Sequence, residues 1–410
     1  MNVNKLRIKN FGPISSGYDS DDGYICFNAL SVFCGAQGTG KSTVVKLYST
    51  FVWLEKALMR GDFKPTYIEE YNRFVKNLLS YQGIDSYVRN DSFLHYKGLC
   101  YDFIYENKRF KVEEHINELE YVRPQVMYVP AERNLLASIE KSSSIKGLPE
   151  TLGTLQEVYR QACQYVSGGI RLPINDVQFK YDTLNNIGRI ETGEYKIRLS
   201  KASSGMQSVT PMFIVMYYLH QIVCNRDNNQ PANNISDKEK KLKDQRIDEI
   251  LSDDSLDIET RAALIKKLSK NVNKRLVNIV EEPEQNLFPE SQERVLHQMI
   301  ELSAMGDNQL LFTTHSPYML NHLMVAIKAK QVESLLNNNE EDIEELNNVV
   351  APKSRVDGSR VDVYQLALDG CIKRLETVEG IPSDNNFLNQ RMMDANIKYS
   401  SLIEIQSRYE

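Results

Sequence analysis

The segment Leu30–Thr43 constrains the fold of this chain more than any other, and its sequence is LSVFCGAQGTGKST. An apolar strand-like run is followed by the spacing G-x-x-x-x-G-K-S and then by apolar residues that recur every three to four positions. Gly35, Gly38 and Gly40 allow a curled backbone whose consecutive N–H groups point inward at phosphate oxygens. The sequence therefore predicts a strand, a phosphate-binding loop and a helix whose positive N-terminus faces the phosphates.

The polar residues of this loop have the chemistry that a bound nucleotide needs. Lys41 is placed to reach the β- and γ-phosphates, and the Ser42 hydroxyl is placed for Mg²⁺. The alternative is a glycine-rich turn before a core helix, but the strand–loop–helix order favours a nucleotide site. The residues that we expect to contact the nucleotide are Gly35, Gln37, Gly38, Thr39, Gly40, Lys41, Ser42 and Thr43.

The composition is that of an ordinary soluble protein, with 410 residues, 41% hydrophobic and 25% charged side chains, and room for two or three domains. The formal net charge of −6 argues against a surface coated in basic groups for nucleic acid. The six cysteines are scattered without a C-x-x-C pair, which indicates free thiols in a reducing cytoplasm. The histidines show no metal-ligand spacing, so nucleotide-bound Mg²⁺ is the expected metal. Without a signal-peptide core or a long apolar run, we expect no membrane partner.

Two further apolar runs end in polar residues. The first, Arg275–Glu284, reads RLVNIVEEPE, and an acidic pair at the end of a buried strand is a strong indication of a site for Mg²⁺ and water. Its acids are Glu281 and Glu282. The second run, Leu310–Pro317, reads LLFTTHSP and carries His315 at its tip. His315 could simply cap the strand, but the neighbouring strand-end motifs favour a functional role.

Two more segments are candidates for contact with the nucleotide. Tyr128–Asn134 reads YVPAERN, a strand end at which Arg133 serves either the nucleotide and its signalling path or a surface salt bridge. Ser203, Ser204 and Gly205 precede a long apolar helix, and small residues at a helix start form an anion-binding end.

Three regions have less specific patterns. Between about residues 58 and 122 aromatic and charged residues alternate, which favours buried packing in a lid over stacking on nucleic acid. Residues 227–274 read as a charged helical hairpin that is either solvated scaffold or an arm for docking a partner. Residues 337–347, rich in Asn and Glu, read as a loop.

In this order the motifs resemble the ABC-type ATPase head of the SMC, RecF and OLD families over nearly the whole chain. Asn10–Ile14 resembles the N-terminal turn of these families, the loop resembles Walker A, and Val277–Glu282 resembles Walker B. Ala202–Met206 resembles a degenerate signature motif, Glu284–Leu287 lies where the D-loop belongs, and His315 lies at the switch histidine.

The resemblance implies an α/β fold, a mixed β-sheet with flanking helices and an antiparallel β lid, interrupted by the helical hairpin. The expected domains are an N-terminal part of the head (1–226), the hairpin (227–274) and a C-terminal part of the head (275–410).

The resemblance also implies a mechanism in which two heads close face to face on two ATP molecules. Ser203, Ser204 and Gly205 of one copy would complete the loop of the other. Glu281 would hold Mg²⁺ through water, and Glu282 would be the general base for the attacking water. His315 would sense the γ-phosphate, and Lys41 would bind the transferred phosphoryl group.

This sequence departs from the family pattern at three points. Ser204 and Met206 stand where Gly and Gln or Glu are usual in the signature, and the Walker B acid is Glu281 instead of Asp. The glutamine of the Q-loop has no clear counterpart, and Gln125 is the candidate.

Among the relatives, the sequence is most similar to stand-alone ATPases of bacterial anti-phage operons, of the PARIS or Septu type. The span from Lys41 to Ser203 is too short for the coiled coil of an SMC protein, and no D-x-D of a Toprim nuclease follows His315. The resemblance implies a homo-oligomeric cytoplasmic switch that responds to a phage trigger or DNA and controls a separately encoded effector, a nuclease.

Two alternatives remain open at the level of sequence. A RecF-like repair ATPase would bind DNA through a basic surface around Lys238–Lys243 and Lys266–Lys274, and its binding would depend strongly on salt. An assembly scaffold would bind ATP, close and scarcely hydrolyse it.

Overall fold

The computed structural model describes residues 3–115, 121–139, 147–224, 273–303, 306–336 and 339–409. The helices are α1 (Lys41–Arg60), α2 (Pro65–Glu69), α3 (Asn134–Ser138), α4 (Glu150–Tyr165), α5 (Ser204–Cys224), α6 (Pro289–Ser303), α7 (Pro317–Glu333), α8 (Glu340–Val349) and α9 (Phe387–Gln406). The strands are β1 (Lys5–Phe11), β2 (Gly17–Tyr18), β3 (Tyr24–Cys26), β4 (Leu30–Gly35), β5 (Val88–Lys97), β6 (Tyr101–Glu106), β7 (Arg109–Glu114), β8 (Pro124–Val129), β9 (Ile170–Arg171), β10 (Gln178–Asp182), β11 (Ile187–Glu191), β12 (Lys196–Arg198), β13 (Arg275–Glu281), β14 (Gln309–Thr314), β15 (Val361–Leu366), β16 (Cys371–Arg374), β17 (Thr377–Val378) and β18 (Ile381–Pro382).

A seven-stranded mixed sheet forms the centre, in the order β2-β16-β15-β4-β14-β13-β8. The five strands from β15 to β8 run parallel, and β16 is antiparallel to β15. Every residue of β4 and β14 is buried, because the sheet is covered on both faces. The expectation of an α/β fold with a mixed sheet and flanking helices is confirmed.

Helix α1 lies between the central sheet and a five-stranded antiparallel sheet, β3-β1-β5-β6-β7. Its Phe51 ring stacks on Phe74, Tyr96 and Phe103, with ring centroids 5.3–5.9 Å apart. These rings are fully buried. The prediction that the aromatic residues of this region pack in a lid is confirmed for this cluster, whereas Tyr71 is exposed.

The opposite face of the central sheet is covered by α5, α6 and α7, together with α4 and the small antiparallel sheet β12-β11-β10-β9. Helix α5 carries apolar residues around most of its circumference, such as Val209, Ile214 and Val215, and all three are fully buried. This helix therefore lies in the core, and its N-terminus is fixed relative to the sheet.

The prediction of a loop over residues 337–347 is wrong from residue 340 onward. Helix α8 forms there, and the Asn339 side chain caps it by accepting a hydrogen bond from the Glu341 N–H. Three acidic residues in the first turn, Glu340, Glu341 and Asp342, stabilise the helix, because their negative charges lie near its partly positive N-terminus. The hairpin that was predicted over 227–274, with its basic runs, lies outside the described residues except for its last two positions.

Candidate functional site

The phosphate-binding loop connects the end of β4 to the first residue of α1, as its glycine spacing predicts. Gly35, Gly38 and Gly40 have φ values of 149°, 77° and 98°, a region that side chains with a Cβ avoid. A Cβ on Gly35 would also collide with the carbonyl oxygen of Leu366 on the neighbouring strand. The curled backbone of the loop therefore depends on glycine at these three positions.

The Lys41 side chain is buried and folds back over the loop. Its Nζ donates to the carbonyl oxygens of Gly35 (2.9 Å) and Ala36 (2.8 Å). The Thr39 hydroxyl donates to the Ala36 carbonyl (2.9 Å). Burial lowers the pKa of Lys41, and the nearby carboxylates of Glu282 and Glu284 oppose that shift. The ammonium group thus lies inside the loop, within the field of the strand-end acids.

The N-terminal turn packs directly against the loop. Phe11 and Ile14 exchange two main-chain hydrogen bonds (2.9 and 3.0 Å), which closes the turn after β1. A Cβ on Gly40 would lie 3.0 Å from Ile14 Cγ1 and 3.1 Å from Pro13 Cγ. Ile14 is fully buried in this contact. The turn therefore supports the point where the loop becomes α1.

The three motif-bearing strand ends meet at one edge of the central sheet. Strands β13, β14 and β4 are adjacent and parallel, and their register places Glu281 beside Thr313 and Thr314 beside Cys34. The carboxyl ends of parallel strands are where ligands bind in α/β sheets. The fold thus brings the loop, the acidic pair and His315 together.

Glu282 and His315 form an ion pair at this edge. The Glu282 Oε1 lies 3.5 Å from His315 Nδ1. Because of this pairing, the Glu282 carboxylate raises the pKa of His315, and His315 lowers the pKa of Glu282. The backbone of Glu282 is left-handed, with φ of 43°, and its N–H donates to the Thr313 carbonyl (3.0 Å). A non-glycine residue in this conformation is uncommon and points to a functional constraint.

Glu284 is a residue of the site whose role the sequence pattern did not reveal. Its carboxylate is almost fully buried and lies 3.6 Å from His315 Nδ1. Oε1 accepts hydrogen bonds from the Thr314 hydroxyl (2.7 Å) and the His315 N–H (2.9 Å), which fixes the tip of β14. In the sequence, Glu284 is visible as the third acid of the run EEPE and the first residue of the D-loop segment. The spacing does not show that its side chain turns inward.

Arg133 is fully buried and its guanidinium donates to main-chain carbonyls. Nη1 donates to the Glu281 carbonyl (2.6 Å), Nη2 to the Glu282 carbonyl (2.7 Å) and Nε to the Ser208 carbonyl (3.1 Å) in α5. Burial lowers the pKa of Arg133 to about 10, against the pull of the surrounding carboxylates. The surface salt bridge considered for Arg133 is wrong. Its side chain holds the backbone of both acids and connects them to α5.

The signature-like segment lies at the N-terminus of α5. Ser203 and Ser204 are exposed, whereas Gly205 is buried against the turn after β13. A Cβ on Gly205 would lie 2.7 Å from the carbonyl oxygen of Asn286. No hydrogen bond among the described residues joins Ser203, Ser204 or Gly205 to the phosphate-binding loop of the same chain.

Gln125 does not fit the role of a Q-loop glutamine. It lies at the start of β8, paired with Leu276, and accepts a hydrogen bond from the Asn273 side chain. The strand-end edge of the sheet lies four residues farther along β8, beyond Val129, or roughly 13 Å away at the rise of a strand. This suggestion from the sequence is wrong because a strand-internal glutamine was taken for a loop residue.

The residues at the edge fit ATP and Mg²⁺. Oε1 of Glu281 is buried without a hydrogen-bond partner, so a polar ligand there would satisfy it. Ser42 is the second residue of α1, and its side chain is half-buried. In the described ranges no three His, Cys, Asp or Glu side chains form a metal-binding cluster. Magnesium does not need such a cluster, because in nucleotide sites it is commonly bound by one or two protein oxygens together with phosphate oxygens.

Comparisons with known proteins agree with a nucleotide-hydrolysing domain. A family model described as an AAA ATPase domain matches residues 258–320, a segment that includes Glu281, Glu282 and His315. No curated protein matches the chain. In the part of the chain that the structure describes, no helix has the length and apolar character needed to cross a bilayer.

The solved structures that match the chain are distant in sequence and have low TM-scores. The SMC head domain from Thermotoga maritima is 8% identical, with 92% of this chain and 100% of that chain covered and a TM-score of 0.36. An Smc head with an extended coiled coil, bound to the C-terminal domain of ScpA derived from Pyrococcus furiosus, is 10% identical, with 97% and 99% covered and a TM-score of 0.35. A nucleotide-free ATP-binding cassette from an ABC transporter is 12% identical, with 93% and 94% covered and a TM-score of 0.30. At such scores, the case for an ATPase rests on the strand-end geometry and on the matched ATPase domain.

Proposed function

We propose that this chain is an ABC-type ATP-hydrolysing switch. The observation that carries the proposal is the meeting of the phosphate-binding loop, the Glu282–His315 ion pair and the buried acid Glu281 at one edge of the sheet. In this proposal the Lys41 ammonium exchanges the carbonyls of its own loop for the β- and γ-phosphate oxygens.

Glu282 and His315 divide the chemistry between them. The lowered pKa of Glu282 keeps its carboxylate ionised at neutral pH, so it can orient and polarise the water that attacks the γ-phosphorus. As the new P–O bond forms and the bond to ADP breaks, His315 donates a hydrogen bond to a γ-phosphate oxygen. Glu281 and Ser42 hold Mg²⁺, which when bound neutralises charge on the β- and γ-phosphates.

The signature segment acts on a second copy of the chain. Ser203 and Ser204 are exposed at the N-terminus of the 21-residue helix α5, where main-chain N–H groups and the helix dipole favour an anion. Because these residues make no bond to their own loop, we propose that two heads close face to face and that each completes the other's ATP site.

We further propose that closure controls a separately encoded effector, a nuclease, in bacterial anti-phage defence. The support is the similarity of the segments ASSG, YVPAER and EEPE to the stand-alone ATPases of such operons. Arg133 provides a physical route for the signal, because one guanidinium binds both the Glu282 carbonyl and α5. A change in backbone position at Glu282 would therefore displace Arg133 and, through it, the start of α5 that carries the signature segment.

The ATPase proposal is tested with wild type, Glu282→Gln and the control Glu290→Gln. Glu290 is exposed on α6, and within the described residues its ion pair is with Arg294, so its change should have little effect. We expect Glu282→Gln to lower phosphate release at least 100-fold, as the loss of a general base does. With ATP and Mg²⁺ the heads of the same variant should stay closed on each other, so its mass in light scattering should exceed the mass measured without nucleotide. Equal hydrolysis by Glu282→Gln and wild type would exclude Glu282 as the base.

The defence proposal is tested separately by phage challenge of bacteria that express the chain with the product of its neighbouring gene. We expect protection with wild type and with Glu290→Gln, and loss of protection with Glu282→Gln. Protection that persists in Glu282→Gln cells would reject the defence switch, while leaving the measured hydrolysis in place.

A further inference from the structure

Helix α9 carries a large apolar surface that nothing in the described part of the chain covers. Its first turn, with Phe387 and Leu388, packs on the core. Farther along, seven apolar side chains of the helix, and Tyr409 just beyond its last residue, are 43–88% exposed. A helix of this length is marginal in water without packing, and such surfaces normally mark an interaction site. The eight are Met392, Met393, Ile397, Tyr399, Leu402, Ile403, Ile405 and Tyr409.

One ridge of this helix is suited to close contact with another helix. Residues four positions apart form a ridge along a helix, and here the ridge consists of Met393, Ile397, Ser401 and Ile405. The Ser401 hydroxyl at its centre donates to the Ile397 carbonyl of its own helix (3.0 Å). It can therefore be buried without losing a hydrogen bond, and its small side chain lets two helix backbones approach.

The charged residues beside this ridge are arranged symmetrically about Ser401, with opposite signs. Lys398 and Glu404 lie three positions before and after Ser401, and Asp394 and Arg408 lie seven positions before and after it. Asp394 pairs with Arg391 on its own helix (2.8 Å). Within the described residues the side chains of Lys398, Glu404 and Arg408 form no ion pair.

We propose that α9 packs against α9 of a second copy of this chain, antiparallel, with the two-fold axis at Ser401. This arrangement places Ile397 of one copy against Ile405 of the other, and Lys398 against Glu404. A two-fold interface requires such self-complementarity. A parallel pair in register would instead place Lys398 against Lys398.

The first test measures mass by light scattering without nucleotide, at tens of micromolar chain. Wild type should be a dimer, and Ile405→Arg should be a monomer because a charge replaces the central apolar contact. Ile403→Arg is the control, since Ile403 is 50% exposed and Ile405 48%, but Ile403 faces away from the ridge. Both side chains are exposed, so both variants should fold. A monomeric wild type, or dissociation caused by Ile403→Arg and not by Ile405→Arg, would overturn the pairing.

The second test examines the pairing of Lys398 with Glu404 and the position of the two-fold axis at Ser401. Lys398→Glu should weaken the dimer at least tenfold, because the introduced carboxylate would face Glu404 of the other copy, and adding Glu404→Lys should restore it. Ser401→Cys should form a disulfide with its counterpart under mild oxidation, whereas Tyr399→Cys should not. A double variant that stays as weak as Lys398→Glu would reject the antiparallel register. These measurements need no ATP, so they stand apart from the success or failure of the ATPase proposal.

Discussion

At the scale of single residues, Arg133 shows how a buried charge can organise a site without touching a ligand. Its guanidinium is surrounded by acids, yet its hydrogen bonds go to main-chain carbonyls at the ends of β8 and β13 and in α5. Such charge-assisted bonds to fixed backbone atoms restrict geometry more than bonds to flexible carboxylates. The left-handed backbone at Glu282 is held by one of them.

We expect Arg133→Met to lower kcat for ATP hydrolysis strongly while leaving the KM for ATP nearly unchanged. The loop that binds phosphates is not touched, but Glu282 loses the donor that fixes its carbonyl. The free energy of unfolding should fall by about 3 kcal/mol, because buried carbonyls are left without a partner. Steady-state kinetics and urea unfolding measure the two effects.

Arg133→Lys serves as the comparison for this prediction. It retains the charge but cannot reach all of the carbonyls at once, so part of kcat should return. If both variants lost ATP affinity and kcat to the same extent, Arg133 would act on folding alone and not on the position of Glu282.

The ion pair between Glu282 and His315 predicts a pH dependence with a definite sign. The pKa of His315 is raised above 6.5, so its charged form is stabilised in the fold. That stabilisation is complete below about pH 6.5 and is lost as the pH rises through the raised pKa. On the acid side the pairing is lost as the pH falls through the lowered pKa of Glu282.

In an NMR titration of the histidine ring, we expect Glu282→Gln to lower the pKa of His315 towards its ordinary value. The His315 resonance is assigned by its absence in His315→Gln. An unchanged pKa in Glu282→Gln would mean that the pairing at 3.5 Å does not persist in solution.

At the scale of elements, the start of α5 and the turn after β13 are in direct contact. Gly205 approaches the Asn286 carbonyl, and the Ser208 hydroxyl donates to the Gln285 side chain (3.3 Å). Asn286 has a φ of 62°, so the turn itself is in a constrained conformation. A shift in either element must therefore move the other.

Alanine at Gly205 should report on this contact. Replacing a helical glycine usually stabilises by about 0.5–1 kcal/mol, and Gly153 in α4, where a Cβ would meet nothing within 4 Å, should show that gain. At Gly205 the new Cβ would press on the Asn286 carbonyl, so we expect lower stability and slower hydrolysis. Thermal unfolding of Gly205→Ala and Gly153→Ala gives the comparison. Equal stabilisation by both would show that the two elements separate freely.

The sequence predicted those parts of the site that depend on spacing along the chain. The strand–loop–helix around Gly35–Ser42 and the polar tips of β13 and β14 follow from local pattern, and so does their convergence once the strands are taken as parallel. The inward turn of Glu284 and the burial of Arg133 depend on contacts between distant segments. No local pattern distinguishes a buried arginine from an exposed one. Gln125 was misplaced because the sequence does not show how far along β8 it lies from the strand-end edge.

Strand β5 and helix α8 show the same limit for secondary structure. The sequence of β5, Val88–Lys97, carries charges on its exposed face and was not recognised, although it pairs with β1 over most of its length. Its pairing with β1 and β6 in the sheet outweighs its weak local preference. In α8 the capping Asn339 and the acidic first turn outweigh a composition typical of loops.

At the scale of the whole molecule, the two proposals give each chain two different self-complementary surfaces. One closes on ATP at the edge of the sheet, and the other pairs α9 with α9. If the two-fold axes of these interfaces do not coincide, the interfaces link more than two chains, either in a closed set or in a longer array.

We therefore expect Glu282→Gln with ATP and Mg²⁺ to form particles of at least four chains in light scattering. Adding Ile405→Arg should reduce them to dimers held by nucleotide alone, and removing ATP should reduce the single variant to dimers held by α9. Particles that never exceed two chains would show that the two surfaces cannot be occupied together.

The position of Lys41 has a consequence for how the protein senses ATP. Because its ammonium donates to the Gly35 and Ala36 carbonyls, an incoming phosphate has to displace groups that are tethered to the same lysine at a very high local concentration. The Gly35 and Ala36 carbonyls thus compete with the phosphate oxygens of ATP for the Lys41 ammonium. The free energy of ATP binding is reduced by the contribution of those two hydrogen bonds.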